Sequence, residues 1–192
     1  MTRERLPFLI LAVTLMAPTS ALAAAYGGVA LGVETDPQAI GLTGITLGDD
    51  AKSPMAAAFF GYRLPVSSAV SLSAEGEAGW SSAKSRFDSG TGLSIETRAG
   101  WSYLASARAA VAVSEQVELF GLVGYGGSRY KSKEASAAFP PRTASRWEDG
   151  LTYGGGVAFM FDGRWFARIE YRHRDYVIRP IDQGLLGLGY RF

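Results

Sequence analysis

The stretch that decides the fold is Trp165–Arg174, which reads W-F-A-R-I-E-Y-R-H-R. Apolar or aromatic side chains occupy the odd positions from Trp165 to Tyr171, and charged side chains occupy the even positions from Arg168 to Arg174. Because successive side chains of a strand point to opposite faces, this period of two predicts a strand with one apolar face and one charged face.

The same alternation recurs along the chain in segments of around ten residues, separated by turn signals. In one of them, Val70, Leu72 and Ala74 alternate with Ser71, Ser73 and Glu75. The eight predicted strands cover residues 26–34, 55–64, 69–82, 98–113, 117–130, 150–161, 164–176 and 185–192.

Composition excludes several classes of protein. The 192 residues include 24 glycines, which disfavour a mainly helical fold because an interior helical glycine costs roughly 1 kcal/mol. The chain has no cysteine, so a disulfide scaffold, a thiol nucleophile and a cysteine metal site are excluded. His173 is the single histidine, and the net charge of +1 gives no basic field for nucleic acid. We therefore expect no metal, no cofactor and no nucleic-acid partner.

The N-terminal residues have the three parts of a secretory signal peptide. Arg3 and Arg5 precede the apolar stretch Leu6–Ala17, and cleavage sites of small residues follow at Ala21-Leu22-Ala23 or Ala23-Ala24-Ala25. The alternative is a membrane anchor that is not cleaved. However, prolines and glycines interrupt the apolar stretch before it reaches the length of a spanning helix, which is about 20 residues. We predict a signal peptide at 1–25 and one domain at 26–192.

After export, the strands would form either a soluble periplasmic sandwich or a membrane barrel. The charged strand faces lack lysine, which a water-facing sheet usually carries, and use Arg, Glu, Ser and Gly instead. Aromatic residues gather near strand ends, as in the two interfacial girdles of a membrane barrel. These aromatics are Trp80, Trp101, Tyr103, Tyr153, Trp165, Tyr190 and Phe192. The prediction is an all-β fold, a closed antiparallel up-and-down eight-stranded transmembrane β-barrel.

The lengths of the connections agree with a barrel. Short turns follow the second, fourth and sixth strands, and longer connections follow the others. A closed up-and-down barrel with both termini in the periplasm predicts this short–long alternation. The long connections are Thr35–Pro54, Ala83–Thr97, Lys131–Asp149 and Val177–Gly184.

Two segments near the C-terminus carry a family resemblance. Phe166–Tyr176 (F-A-R-I-E-Y-R-H-R-D-Y) and Leu186–Phe192 (L-G-L-G-Y-R-F) resemble the end of the opacity/OmpA-like outer-membrane barrels. The resemblance implies an eight-stranded barrel in the outer membrane of a Gram-negative bacterium, assembled with periplasmic chaperones and the barrel-assembly machinery. It also implies a C-terminal assembly signal, formed by Leu186, Leu188, Tyr190 and Phe192. The peptidoglycan-binding half of full-length OmpA proteins has no counterpart here, so we expect no wall-anchoring role.

The inward-facing charges form the most conspicuous candidate site. They are Arg63, Glu75, Glu77, Arg108, Glu118, Arg168, Glu170, Arg172, Arg174 and Arg191. One reading is an ion-selective pathway, in which the excess of arginine would favour anions. The favoured reading is a salt-bridge network that closes the lumen, because eight strands leave an interior just wide enough for side chains to fill.

Two candidate sites lie on the outer surface. By parity His173 faces outward, where Asp175 could pair with it, but the serine that a lipid hydrolase would need beside it is missing. A lipopolysaccharide contact needs basic residues near the outer rim, and the candidates are Arg129, Lys131 and Lys133. The alternative for these long connections is a set of solvated, variable loops.

These observations rank the functions. We expect a non-enzymatic, monomeric outer-membrane barrel that supports envelope integrity and surface interaction, in contact with outer-membrane lipid and lipopolysaccharide. A small, low-conductance porin is the second hypothesis, and an enzyme that modifies lipid A is the third.

Overall fold

In a computed structural model of the chain, the structure describes residues 24–36, 51–88, 93–136, 139–176 and 180–192. These residues form one antiparallel sheet of nine strand segments. The segments are β1 (Ala24–Asp36), β2 (Ala51–Pro65), β3 (Val70–Ser81), β4 (Lys84–Asp88), β5 (Leu93–Ala112), β6 (Val117–Ser136), β7 (Phe139–Phe161), β8 (Trp165–Tyr176) and β9 (Ile181–Arg191). No helix within these ranges is long and apolar enough to cross a membrane.

The sheet closes on itself. Apart from β3 and β4, which do not pair with each other, each strand segment pairs with its neighbours in the chain. In addition, β1 pairs with β9 and β3 pairs with β5. Segments β3 and β4 are separated only by Ser82 and Ala83, and both pair with β5, so together they form one of eight strands around the barrel. The predicted closed eight-stranded barrel is confirmed, and closure leaves no open sheet edge along the lipid-spanning part of the strands.

The two faces of the sheet follow the predicted alternation. Leu31, Ile169 and Leu186 are exposed on the outer face at 67%, 56% and 64%. Glu75 and Arg168 are each 4% exposed, on the inner face. In water this exterior would be an unusually large apolar patch, but it matches the hydrocarbon band of a membrane barrel.

One short turn shows how tightly the strands connect. The turn between β7 and β8 has three residues, 162–164, and Asp162 and Gly163 both have positive φ, 40° and 79°, a region that glycine adopts most readily. The Asp162 carboxylate accepts hydrogen bonds from the backbone N–H groups of Arg164 (3.4 Å) and Trp165 (3.2 Å). The short turns, the start of β1 and the end of β9 lie at the same end of the barrel, which we call the inner end; the opposite end is the outer end.

The strands reach further than the sequence predicts. The predicted connection Lys131–Asp149 is wrong, since β6 and β7 continue through most of it as a paired hairpin. Likewise, β4 and the start of β5 lie within the predicted connection Ala83–Thr97, and β9 begins within Val177–Gly184. These extensions carry polar side chains on both faces, so the apolar alternation that marks a lipid-spanning strand is absent from them. Strand β1 begins at Ala24, within the predicted signal segment 1–25. The rest of the predicted signal segment, residues 1–23, and the stretch 37–50 lie outside the described residues.

Candidate functional site: the charged lumen

The structure places all ten predicted charged residues on the inner face of the barrel. Seven of them belong to one central group, each at most 7% exposed: Glu75, Glu77, Arg108, Arg168, Glu170, Arg172 and Arg174. The other three, Arg63, Glu118 and Arg191, meet near the inner end, where the two arginines are partly exposed.

Glu75 of β3 is the most heavily hydrogen-bonded carboxylate of the central group. Arg168 donates to both of its oxygens, at 2.7 and 3.0 Å, and Arg108 donates to one of them at 2.7 Å. The Tyr26 hydroxyl adds a fourth hydrogen bond at 3.0 Å. Charge-assisted bonds of this kind are roughly twice as strong as neutral ones, and the four together fill the acceptor capacity of Glu75.

The network continues along β8 towards the outer end. Glu170 accepts from Arg108 at 2.9 Å and lies 3.0 Å from Nε of Arg172. Arg172 in turn donates to both oxygens of Glu77, at 2.9 and 2.7 Å. Arg174 lies 3.6 Å from Glu77. The result is a continuous ladder of alternating charges through the lumen.

This ladder joins opposite walls of the barrel. Around the closed sheet the order is β1, β2, β3, β5, β6, β7, β8, β9, so β3 and β8 lie four strands apart on opposite sides. Glu75 and Glu77 project from β3, and Arg168 and Arg172 project from β8 to meet them. The ion pairs therefore cross the full width of the interior.

Beside the ladder, the lumen is filled by aromatic rings and a second ion pair. Tyr26, Phe59 and Phe166 pack against one another with ring centroids 5.9 to 6.4 Å apart. The guanidinium of Arg168 lies 3.7 Å from the Phe59 ring centroid, which is a cation–π contact.

Closer to the inner end, Glu118 accepts two hydrogen bonds from Arg63, at 2.7 and 2.5 Å. Arg191 lies 3.6 Å from the same carboxylate. These three side chains also line a cavity with a volume of about 60 Å³.

Two buried carboxylates were missed by the sequence analysis. Glu34 of β1 accepts from Ser81 at 2.6 Å and from Gln183 at 3.1 Å, and Glu148 of β7 pairs with Arg146 at 2.6 Å. The predicted set holds six arginines and four glutamates, so Glu34 and Glu148 bring the carboxylates to six. Arg146, the partner of Glu148, shares its face of β7 and adds a seventh arginine, so the arginine excess falls from two to one. Glu34 sits at the end of its predicted strand and Glu148 within a predicted loop, so alternation did not mark either as inward-facing.

The histidine on the outer face has a different partner from the one considered. Nδ1 of His173 lies 2.7 Å from Asp182, not beside Asp175, because β8 and β9 place His173 directly opposite Asp182. The Tyr171 hydroxyl donates to the same carboxylate at 2.7 Å. This arrangement orients the imidazole as a general base would require. Among the hydrogen bonds of the described residues, however, none joins a serine to His173.

Three residues of the predicted C-terminal assembly signal, Leu186, Leu188 and Tyr190, share the lipid side of β9, and Phe192 directly follows the strand. Leu186 and Leu188 are exposed at 64% and 48%. Tyr190 packs edge-on against Trp165 and Phe192, with ring centroids 5.0 and 5.5 Å apart, in the aromatic belt of the inner end.

Comparison with known proteins places this geometry in a family. Residues 9–192 match the family described as the outer membrane protein beta-barrel domain. The chain belongs to this family. Its membership, together with the closed sheet and apolar exterior, makes the protein an outer-membrane β-barrel, and the resemblance to opacity/OmpA-like barrels is confirmed.

A solved structure shows the same fold. The chain is similar to Ail, the attachment invasion locus protein of Yersinia pestis, with 19% identity, a TM-score of 0.57, and coverage of 88% of this chain and 97% of that chain. It is also similar to the N-terminal β-barrel domain of Pseudomonas aeruginosa OprF, with 12% identity, a TM-score of 0.49, and coverage of 88% and 97%. No curated protein matches the chain.

Proposed function

We propose that this protein is a non-enzymatic, monomeric structural barrel that reinforces the outer membrane and conducts no solute. The observation that carries the proposal is the ion-pair ladder between β3 and β8, in which Glu75 and Glu77 bind arginines from the opposite wall. Side chains that pair across the width of the interior leave no continuous water path for ions. The proposal includes export by the signal peptide at 1–25 and insertion as the domain at 26–192.

The test is ion conductance in planar lipid bilayers. Purified barrel is refolded, its folded state is verified by a gel shift between unboiled and boiled samples, and it is added to a bilayer under voltage. The wild-type protein should give no steady channels. The double variant Glu77→Ala/Arg172→Ala, which removes the paired side chains from the ladder, should give measurable openings. Regular channels from the wild-type protein would instead establish the small porin.

Envelope integrity is tested in cells. Deleting the gene should raise the uptake of a hydrophobic dye and the sensitivity to bile-salt detergents, because the outer membrane loses a rigid component. Expression of the wild-type chain should reverse both effects. A deletion strain with unchanged permeability would contradict the structural role.

The enzyme hypothesis makes a separate prediction at His173. If the His173–Asp182 pair acted on lipid A, then His173→Ala would change the lipid A species resolved by mass spectrometry. We expect an unchanged lipid A profile in the His173→Ala strain and full rescue of the permeability of the deletion strain. A changed profile would replace the structural role with catalysis.

A further inference from the structure

The strand extensions at the outer end carry an unusual row of like charges. In the register of the sheet, Lys84 of β4 lies directly opposite Arg98 of β5, and Arg98 lies directly opposite Lys131 of β6. Directly opposite residues have Cβ atoms about 4.5–5.5 Å apart on the same face. Lys84, Arg98 and Lys131 therefore form three adjacent cations in a line across three strands, which we call the basic row.

Two more cations on β6 share the face of this row. Arg129 and Lys133 are two residues before and after Lys131, so their side chains project to the same side, and all three are exposed. We call the five residues Lys84, Arg98, Arg129, Lys131 and Lys133 the basic face.

Few negative charges offset the basic face within the described part of the chain. Glu96 forms an ion pair with Arg98 and lies 4.0 Å from Nζ of Lys84, and its pKa is lowered by the hydrogen bond from Arg98. The register also puts Glu96 opposite Lys133. Glu96 thus lies beside three of the five cations, Lys84, Arg98 and Lys133. Like charges directly opposite one another destabilise a sheet, so this arrangement is unfavourable for the barrel by itself and favourable when an anion lies against it.

The basic face is at the height of lipid headgroups. On β6 it has the parity of Val123 and Tyr125, which are exposed on the lipid-facing exterior at 52% and 53%. Arg129 lies directly opposite Trp147, and Arg98 is three residues, or roughly 10 Å of strand, beyond Trp101. Trp101 and Trp147 are exposed at 63% and 51% and mark the outer aromatic belt. The cations begin where that belt ends.

We propose that the basic face binds the phosphate groups of the phosphorylated glycolipid of the outer leaflet, lipid A with its attached sugars. The apolar band below the face contacts the acyl chains, and the five cations meet the phosphates at the membrane surface. The proposal rests on the outer-membrane placement of the barrel and is independent of whether the lumen conducts. It extends the three-residue expectation from sequence by adding Lys84 and Arg98, which complete the row.

The test measures binding of the refolded full-length barrel, in zwitterionic detergent, to purified lipid A and to the same lipid A after removal of its phosphates. The wild-type protein should bind the phosphorylated form, with affinity that falls as salt is raised. Each cation near an anionic surface contributes about fivefold, so the triple variant Lys84→Gln/Arg98→Gln/Lys131→Gln should bind about a hundredfold more weakly.

Arg142→Gln is the matched control. Arg142 is exposed on the same hairpin, but it lies opposite Glu134, on the other face of the sheet. Its removal should leave lipid A binding unchanged. Equal weakening by Arg142→Gln would show that net charge alone matters and would overturn the site. Equal binding of dephosphorylated lipid A would also overturn it.

Two further measurements keep the result independent of folding and of the ligand class. In detergent free of lipid A, Lys131→Gln should be at least as stable to heat as the wild type, because it removes repulsion within the basic row. Inorganic polyphosphate should bind more weakly than lipid A. Equally tight binding of polyphosphate, lost in the triple variant, would point to a soluble polyanion and overturn the lipid assignment. Channel recordings on the triple variant should remain silent, so failure of this inference and failure of the sealed lumen are distinguishable.

Discussion

Replacing Glu75 with glutamine tests whether the lumen is as dry as its geometry implies. The change keeps the shape of the side chain and removes one charge from a carboxylate that accepts three guanidinium hydrogen bonds and one tyrosine hydrogen bond. Arg108 and Arg168 are buried and cannot release their protons. Breaking a buried pair by removing one partner typically costs about 3–5 kcal/mol, or roughly two to three and a half decades in the unfolding equilibrium.

The measurement is urea unfolding of the barrel refolded in detergent, followed by tryptophan fluorescence. Glu115→Gln is the control, since Glu115 is exposed in a short turn and its replacement should cost almost nothing. Adding Arg168→Met to Glu75→Gln should restore the charge balance, so the double variant should be more stable than the sum of the single losses by about 0.5–3 kcal/mol. A cost for Glu75→Gln below about 1 kcal/mol, the value of a surface pair, would refute the reasoning and indicate a water-filled lumen.

Three other perturbations follow from the geometry. Gly61→Ala should destabilise the barrel by about 1–3 kcal/mol, because the added Cβ would lie 2.3 Å from the Tyr26 ring. Gly76→Ala should be nearly neutral in the same unfolding assay, because no atom lies nearer than 4.0 Å to its added Cβ. Gly163→Ala should cost about 1 kcal/mol or more, since φ at Gly163 is 79°; an unchanged midpoint would contradict the turn assignment. Phe192→Ser should lower the amount of barrel assembled in cells, measured by the heat-dependent gel shift, while refolding in detergent stays normal; equal losses in both would argue against an assembly signal.

The fold could be predicted from the sequence because one physical requirement governs the lipid-spanning strands. A residue such as Ile169 or Leu188 must face hydrocarbon, and its neighbours in the strand must face the interior. Apolar and polar residues therefore alternate strictly in the part of each strand that crosses the lipid. The same requirement gave the inward direction of Arg168 and Glu75. The identity of each ion pair could not be read from the sequence, because it depends on which strands face one another across the closed barrel.

The outer extensions could not be predicted, for a reason visible in β5. The pairing with β6 shifts between Ala99 and Ser102, where β5 has one extra residue. Below this bulge the even positions of β5 face the lumen, as Arg108 does; above it they face outward, as Arg98 does. Unbroken alternation would have put Arg98 inside, so the sequence pattern alone could not place it beside Lys84 and Lys131.

The ladder between β3 and β8 also has a consequence for how the chain chooses its architecture. An arginine and a glutamate from facing walls can form an ion pair only if the diameter of the barrel matches the combined length of the two side chains. That diameter grows with the number of strands. In a wider barrel, or after a slip of one strand against its neighbour, the guanidinium groups would lose their carboxylate partners across the interior. The charged interior therefore stabilises a barrel of one circumference. It disfavours domain-swapped or enlarged barrels made from the same chain.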